Sequence, residues 1–413
     1  MSALWLGLVL SAAPDPLTFE AAVQQALINS TALRLGQAEV DRAGALVQQA
    51  RAPSLPTLAL NGTYTRLEGD RGINGNVISA ANQLGANLQL QLPLVVPNRW
   101  AQWRRAELNA TVSTATQEET RRQVALTAGR AWLAVLGQKK VVVAQQRSLD
   151  VAKAHLQYAS DRRTGGIGNR LDEARAAQEL AVTQTQLASA LGTLERLQEQ
   201  LGVAVGVDGP LDASEVEPSL PAAVAPERVS QVINERSDVQ AAVTRVETAK
   251  NSIRWNWADY SPLLSAVVTP AYQNPATATV PTLGFQAQLV LSIPLYDGGL
   301  RYGQQRERQL QLEQAKVQLE AASRSAAAEV RTGLSQVRRA DESLAAARDA
   351  ATQAEGALAL SQDAFRAGGS TNLEVVDAER RARDAATAVA LAENAARQAR
   401  LELLGAAGLF PSR

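Results

Sequence analysis

The chain has 413 residues, and its 41 basic and 41 acidic side chains leave no net field that would concentrate nucleic acid, so no nucleic-acid partner is expected. The absence of cysteine excludes thiol catalysis, disulfides and cysteine metal sites. Aromatic residues make up only 4%, and long stretches lack Gly and Pro, a composition typical of long helices rather than of a compact enzyme.

The first predicted element is a signal peptide over residues 1–13. An apolar run over 3–9 is followed by Leu10-Ser11-Ala12-Ala13, which resembles a cleavage site and indicates export. No Lys or Arg precedes the run, so an ordinary short helix stays the alternative. No later segment supplies the roughly 20 apolar residues of a spanning helix, and any membrane crossing must therefore use strands.

The chain contains an internal repeat. Residues 27–56 parallel 233–262, and 88–94 parallel 289–295. We predict a first repeat over 14–205 and a second over 227–408. Between them, 206–226 is rich in Pro, Gly and acidic residues, as expected of a surface connector.

Each repeat begins with a helix, passes through two strands and ends in a long helical hairpin. Apolar residues recur every three or four positions, and many are Ala, which lets helices pack closely. The predicted helices are 17–52, 100–163, 171–201, 227–257, 302–367 and 373–404. The two longest would reach on the order of 100 Å at 1.5 Å per residue. His155, the only histidine, is expected on the surface of one of them, with no role as ligand or base.

Four segments alternate apolar and polar residues as strands do: 57–66, 84–92, 263–272 and 285–293. A half-buried soluble sheet is the ordinary explanation for such a strand. Two features favour transmembrane strands instead. The segments have the 9 to 10 residues that cross a bilayer at a tilt, and the polar face is Gln and Asn, as in a wet lumen.

Four tryptophans flank these strands on the side of the helices: Trp100, Trp103, Trp255 and Trp257. Indole rings favour the boundary between headgroups and hydrocarbon, so we predict that these residues form an interface belt against membrane lipid. Packing at the corner between helix and strand is the alternative for each of them.

Four strands cannot close a barrel, and open strand edges cannot face lipid because their backbone groups would go unsatisfied, at a cost of several kcal/mol each. At least two chains must therefore share one barrel. Cyclic symmetry permits eight, twelve or sixteen strands for two, three or four copies.

The segment that joins the last strand to the next helix carries a family signature. It reads IPLYDGGLR over 293–301, and the second hairpin adds FRAGG over 365–369 and LEVVDA over 373–378. With these motifs the chain resembles the TolC family of outer membrane efflux proteins from about residue 17 to 404. The resemblance implies a homotrimer with a mainly α fold, whose long hairpins form a periplasmic tunnel and whose strands build a shared transmembrane β-barrel. It also implies a passive duct, without enzymatic activity or cofactor, that docks to an inner membrane transporter through a periplasmic adaptor (membrane fusion) protein.

The resemblance further implies a gate at the periplasmic tip of the tunnel. Glu374 and Asp377 match its acidic rings, where threefold symmetry would gather six carboxylates that favour cations. Asp172 matches an acid that helps to hold the tip shut. The alternative for each acid is a solvated helix face.

The predicted tip consists of two pairs of glycines with two neighbouring residues: Gly165, Gly166, Gly368, Gly369, Phe365 and Ser370. The glycines can also be explained as ordinary helix ends. Phe365 and Ser370 stand where the family usually has a tyrosine and an arginine, so the usual lock is incomplete, and Arg170 or Arg366 is the expected substitute.

Two other protein classes compete with the duct. A soluble coiled-coil scaffold fits the composition but has no use for four alternating strands. A periplasmic adaptor would carry one helical hairpin, whereas this chain has two. No group of residues resembles a metal site, a catalytic triad or a phosphate loop.

Overall fold

The computed structural model describes residues 16–73, 76–216, 218, 233–277 and 280–411. The chain divides into two compact units, each assembled from separate segments. The hairpin unit comprises Met1–Leu35, Glu118–Val239 and Ala322–Arg413, and the sheet unit comprises Gly36–Gln117 and Gln240–Ala321. The predicted signal peptide lies outside the described residues, as do 217 and 219–232 of the connector and second repeat, so the division at 206–226 stays a prediction.

The sheet unit contains the four predicted strands, which confirms them: one has the predicted bounds, two are longer, and the last is shifted toward its start. They are β1 (Thr57–Arg66), β4 (Asn82–Val95), β5 (Leu263–Asn274) and β6 (Leu283–Ser292). All neighbours are antiparallel, in the order β1-β4-β5-β6. A small hairpin that the sequence did not indicate, β2 (Arg71–Ile73) with β3 (Asn76–Ser79), fills the loop after β1.

The strand register places most of the apolar residues of the four strands on one face. Leu60 pairs with Leu88, and Ala266 pairs with both Leu92 and Leu289. The opposite face carries most of the Gln and Asn residues, and a hydrogen bond of 3.0 Å joins the side chains of Asn61 and Asn87 there. Because side chains alternate along a strand, this register largely separates the two chemistries, although Val267 lies on the polar face between Gln91 and Gln288.

The signature segment after β6 ends the strand and starts the next helix. The carboxylate of Asp297 accepts hydrogen bonds from the backbone N–H of Gly299 at 3.2 Å and of Arg301 at 3.3 Å, and from Arg301 Nε at 2.6 Å. Gly298 and Gly299 have φ of 70° and 91°, a conformation that glycine adopts without strain. Asp-Gly-Gly-x-Arg is therefore a built-in helix start.

Seven helices carry the rest of the described chain: α1 (Phe19–Asn29), α2 (Thr31–Arg51), α3 (Pro97–Thr164), α4 (Arg170–Val205), α5 (Ser237–Arg254), α6 (Leu300–Arg366) and α7 (Asn372–Ala406). Short 3₁₀ turns follow α2 at Ala52–Ser54 and α5 at Asn256–Tyr260. None of the described helices is both long enough and apolar enough to cross a bilayer.

Two helix predictions were wrong in detail. The helix expected over 17–52 is interrupted at Ser30, whose backbone is extended, because the run Asn29-Ser30-Thr31 has side chains that compete for backbone hydrogen bonds. Within the helix expected from 227 to 257, residues 233–235 are helical, Arg236 interrupts the helix, and α5 continues it to Arg254 before the 3₁₀ turn.

The hairpin unit has its core between α1, α3, α4 and α7. Trp132 is fully buried, meets Phe19 edge-on at 5.5 Å between ring centroids, and donates its indole N–H to the backbone oxygen of Leu17 at 2.8 Å. Leu133, Leu136, Leu201 and Leu401 complete this cluster. Elsewhere the seams use smaller residues, and Ala326 and Val330 of α6 are fully buried as their helical spacing predicted.

Glu393 of α7 connects three long helices of the hairpin unit. Its carboxylate accepts hydrogen bonds from Lys140 of α3 at 3.0 Å, Arg348 of α6 at 2.8 Å and Arg397 of α7 at 3.2 Å. Burial favours the neutral acid, but these three bases outweigh it and lower the Glu393 pKa to about 2. The carboxylate is therefore ionised at any physiological pH.

Gly202 and Gly192, both in α4, provide a matched test of packing. A Cβ on Gly202 would lie 2.0 Å from the backbone oxygen of Gly209, whereas a Cβ on Gly192 would meet nothing within 4 Å. We expect Gly202→Ala to lower the free energy of unfolding by about 1–3 kcal/mol through overpacking. Gly192→Ala should leave it unchanged or raise it by about 0.5–1 kcal/mol because alanine favours helix. Denaturant unfolding of the two purified variants measures both, and equal stabilities would show that the close approach at Gly202 is not tight.

The Glu393 contacts predict how the stability of the hairpin unit depends on pH. A carboxyl group with a lowered folded-state pKa stabilises the fold above its ordinary pKa, and the contribution is lost as the pH falls through about 2. Glu393→Gln should lower the free energy of unfolding at pH 7 by roughly 1–3 kcal/mol, and its difference from wild type should shrink below pH 4. Glu342→Gln is the control, because Glu342 is exposed and pairs only with Arg339 one turn away among the described residues. A constant difference between wild type and Glu393→Gln from pH 7 to pH 2 would contradict the assignment.

Candidate functional site at the hairpin turns

Both long hairpins of the hairpin unit turn at glycines. Helix α3 gives way to Gly165 and Gly166, and α6 gives way to Gly368 and Gly369. Gly166 and Gly368 have φ of 79° and 80°, the left-handed conformation that commonly ends a helix. The four predicted glycines are thus the turn residues of the two hairpins, and their role at a tunnel tip stays a prediction.

Glu374 lies in the first turn of α7 and closes a capping box. Thr371 Oγ1 accepts from the Glu374 backbone N–H at 3.4 Å, and the Glu374 carboxylate accepts from the Thr371 N–H at 2.9 Å. Ser370 donates its hydroxyl to the same carboxylate. The Ser370 hydrogen bond first, and then the Thr371 N–H, lower the Glu374 pKa. Ser370 and Thr371 therefore hold the Glu374 carboxylate at the helix start.

Asp377 follows Glu374 by three residues, so both carboxylates lie on neighbouring turns of one helix face. Its two oxygens pair with Arg380 and Arg381, each at 2.7 Å. Both arginines are exposed. The charge of Asp377 is consequently balanced within its own helix, by two ion pairs that the sequence did not predict.

Asp172 lies in the first helical turn of α4, directly after the turn of the first hairpin. Its backbone oxygen accepts a hydrogen bond of 3.0 Å from Nδ2 of Asn372, the first residue of α7. Among the described residues its carboxylate has no hydrogen bond or ion pair. Arg366, one of the two expected substitutes for the missing arginine, pairs with Asp363 at 3.1 Å in its own helix. The substitution by Arg170 or Arg366 stays a prediction.

Phe365 is buried at the end of α6. Tyr158 of α3 meets it edge-on at 5.8 Å between ring centroids, and the Arg162 guanidinium lies 4.9 Å from the ring centroid. The Phe365 ring therefore covers the α3 side of the turn region by packing rather than by a hydroxyl hydrogen bond.

His155 contradicts the expectation of a surface residue. It is 8% exposed, and its Nδ1 lies 2.6 Å from Glu379 Oε1 while its Nε2 lies 2.6 Å from Asn372 Oδ1. A signal was present in the sequence, since Leu149, Ala152, His155 and Ala159 recur at spacings of three and four and are all buried. The histidine occupies a buried seam position, although its polar side chain predicted exposure.

The four tryptophans all lie in the sheet unit at the end where β4 leaves and β5 enters, as predicted. The Trp255 and Trp257 rings stack at 6.0 Å, and Trp257 is exposed. Trp103 instead packs under the Arg51 guanidinium at 5.0 Å, and its indole N–H is buried without an acceptor in the described part of the chain. The interface role of the four residues stays a prediction.

Among the described residues, no group of three or more His, Cys, Asp or Glu side chains could hold a metal ion.

Comparisons with known proteins agree with this architecture. A family model described as outer membrane efflux protein matches residues 22–207 and 229–409. Outer membrane protein TolC of Escherichia coli (strain K12) is 24% identical over 374 residues, which cover 86% of this chain and 75% of that protein.

Two solved structures share the fold. A membrane protein from Pseudomonas aeruginosa superposes with a TM-score of 0.82 at 20% identity, over 94% of this chain and 93% of the other. The outer membrane protein VceC from Vibrio cholerae superposes with a TM-score of 0.79 at 18% identity, over 94% and 96%. Long helical hairpins with a four-stranded contribution per chain are thus a TolC-like fold, and the soluble scaffold is not favoured. Because the family model covers most of its length, the chain belongs to the outer membrane efflux protein family, and it acts in the outer membrane as an efflux channel.

Proposed function

We propose that three copies of this chain form one passive duct, a homotrimer in which each copy adds four strands to a twelve-stranded barrel and two helical hairpins to a periplasmic tunnel. Cargo arrives from an inner membrane transporter through a periplasmic adaptor protein. The observation that carries the proposal is the four-stranded sheet, whose apolar face is exposed in the single chain and whose outer strands β1 and β6 have no second neighbour among the described strands.

The unpaired edges support closure by further copies. Each backbone group left unpaired in hydrocarbon costs several kcal/mol, and a β6 edge placed against the β1 edge of the next copy satisfies both rows. Eight, twelve and sixteen strands all close by this rule. The choice of three copies follows from membership of the efflux family.

The exposed apolar face supports contact with lipid. Phe285 is 81% exposed and Leu289 is 73% exposed in the single chain, and both belong to the mainly apolar face of the sheet. Such a face in water would be an aggregation site. Facing lipid, it leaves the Gln and Asn residues of the other face to line a wet lumen.

The hairpin turns support a gate at the periplasmic tip. Glu374 and Asp377 begin α7 directly after the second turn, and threefold symmetry would bring six carboxylates together around one axis. Such a ring attracts cations and retards anions. Arg380 and Arg381 moderate the charge of Asp377 and so set how strongly the ring discriminates.

The lipid-facing register can be tested with two adjacent cysteines, because the chain has no native cysteine. In vesicles, Gln288→Cys should react with a membrane-impermeant maleimide that enters the lumen, whereas Leu289→Cys should react only after detergent is added. Both positions are exposed in the single chain, so accessibility there does not distinguish them. Equal labelling in vesicles would contradict the barrel. Leu289→Arg should in addition cost about 2–4 kcal/mol at the bilayer midplane.

The gate assignment can be tested by single-channel recording of purified trimers. Glu374→Gln with Asp377→Asn should reduce cation preference and weaken block by multivalent cations, since the ring charge is lost while glutamine can still close the capping box. Asp172→Ala should raise conductance if Asp172 helps to hold the tip shut. Glu313→Gln is the control, because Glu313 is exposed, pairs with Lys316 and lies near the start of α6, far from the hairpin turn. Unchanged ion selectivity in the double variant would remove the gate assignment and leave the duct standing.

A further inference from the structure

We propose that His155 is a proton-binding and positioning residue whose charged form ties the first two turns of α7 to α3, so that pH sets how firmly Glu374 and Asp377 are held at the tip. The inference rests on the proposed gate. It starts from a buried contact that the proposed gate does not use.

With Glu379 ionised, the surroundings of His155 require a proton on both ring nitrogens. Nδ1 faces the Glu379 carboxylate and Nε2 faces Asn372 Oδ1, each at 2.6 Å. The Asn372 amide is oriented by its Nδ2, which donates to the backbone oxygen of Asp172, so its oxygen faces the imidazole. Beside an ionised carboxylate, a neutral imidazole has only one N–H and would leave two acceptors in contact on the other side. The imidazolium paired with the Glu379 carboxylate satisfies both contacts.

The two partners bracket the proposed gate. Asn372 and Glu379 are seven residues apart, two helical turns, and therefore lie on the same face of α7. Glu374 and Asp377 lie between them in the sequence. Through Asn372 the contact also reaches the start of α4. His155 thus joins three helix segments at the turns and fixes both ends of the acidic segment.

Burial makes the contact sensitive to the loss of its proton. His155, Asn372 and Glu379 are all less than 9% exposed, and Phe365 packs 6.2 Å from the imidazole between ring centroids. Water cannot easily replace a hydrogen bond lost there. Deprotonation would leave a buried carboxylate without its cation, which favours separation of α7 from α3.

The charges around His155 come from every helix packed on it. Helix α7 contributes Glu379 and, one turn further on, Arg383, which pairs with Glu179 of α4. Helix α4 also contributes Asp172. On α3 itself, Arg162 lies over the Phe365 ring, which packs against His155. On α6, Asp363 and Arg366 lie beside Phe365 in the sequence and pair with each other. Burial lowers the His155 pKa, but the Glu379 hydrogen bond and charge, the Asn372 hydrogen bond and the Asp172 charge outweigh burial and raise the pKa above its ordinary value.

The sign of the pH effect follows from linkage. Because the folded-state pKa is raised, the contact stabilises fully below the ordinary histidine value of about 6.5 and is lost as the pH rises through the folded-state value. Acidification of the periplasm therefore holds the acidic segment in place, and alkaline conditions release it. The Glu374 pKa is lowered from its ordinary value, so a window from about pH 6 to 9 separates the histidine from that carboxylate.

The first experiment uses the single histidine as its own reporter. Ring-carbon NMR of ¹³C-histidine-labelled trimers in detergent should show one titration with a midpoint above about 6.5, and Glu379→Gln should lower that midpoint by about one unit or more. A wild-type midpoint at or below 6.5, or one that Glu379→Gln does not move, would overturn the proposal.

The second experiment asks whether the proton reaches the gate. The single-channel conductance of wild type should rise between pH 6 and 9, with the same midpoint as the NMR titration. His155→Gln should have a high conductance that does not change with pH in that window. Glu379→Gln should move the midpoint of the conductance curve to lower pH. Glu342→Gln, on the exposed side of α6, should follow wild type. If His155→Gln does not assemble, the Glu379→Gln shift carries the test.

The inference is overturned, and the duct stands, if His155→Gln keeps the pH curve of wild type. It is also overturned if the NMR midpoint is raised but the conductance of wild type does not change with pH. Purified trimers that form no channel would overturn the proposed function itself, and the NMR midpoint would still decide whether the proton site exists.

Discussion

A sheet that one chain cannot complete is the constraint on which this protein depends. β1 and β6 each leave one row of backbone groups unpaired among the described strands, and the register concentrates most of the large apolar side chains of the sheet on one face. Unpaired backbone groups are intolerable in hydrocarbon because no water is there to bind them, and a large exposed apolar face is unfavourable in water. Assembly with further copies resolves both at once, because it pairs the edges and leaves the apolar face toward lipid.

The helical hairpins follow a different rule, in which small residues set distance and polar contacts set register. Gly405 and Gly137 leave room for Leu126 and Asn394, which a Cβ would meet at 2.6 and 2.4 Å. Alanine seams of this kind pack well at several registers, so apolar contacts alone specify the alignment weakly. The buried charges supply the missing specificity. Arg236, 1% exposed, pairs with Asp238 at 2.7 Å and Glu329 at 2.8 Å. Burying such charges costs solvation, which suggests that these pairs fix geometry more than they add stability.

Three other polar contacts of the hairpin unit set two opposite pH limits. Glu393 and Glu374 have lowered pKa values and lose their contacts in strong acid, whereas His155 has a raised pKa and loses its contact on the alkaline side. All charged contacts at the hairpin turns therefore coexist in mildly acidic to neutral conditions. For a protein whose helical part is exposed to the periplasm, the alkaline limit is the one that lies near physiological pH.

Much of the fold was present in the sequence because its periodicities are long and uninterrupted. The strand Thr57–Arg66 was predicted with its observed bounds, and the long helices were placed to within three residues at most ends, since period two and period 3.6 are local properties of the chain. The signature over 293–301 also encodes its own geometry, because Asp297 reaches only its neighbours in the sequence. Ser30 was missed because a single break in a strong helical pattern carries little weight.

The candidate site was predicted only in part. The sequence placed Glu374, Asp377 and the turn glycines, because these depend on position along one helix. It could not show that Asp377 pairs with Arg380 and Arg381 or that Ser370 serves Glu374, since a rotamer decides between several neighbours at the same spacing. His155 was placed wrongly on the surface. Its partners Asn372 and Glu379 lie more than 200 residues away in the sequence, and only the packing of α3 against α7 brings them to its two nitrogens. Sequence alone thus determined which elements form and which residues lie at their ends, because those depend on local chemistry. Tertiary structure decided which polar groups meet, because a buried hydrogen bond depends on distances between segments that the sequence does not encode locally.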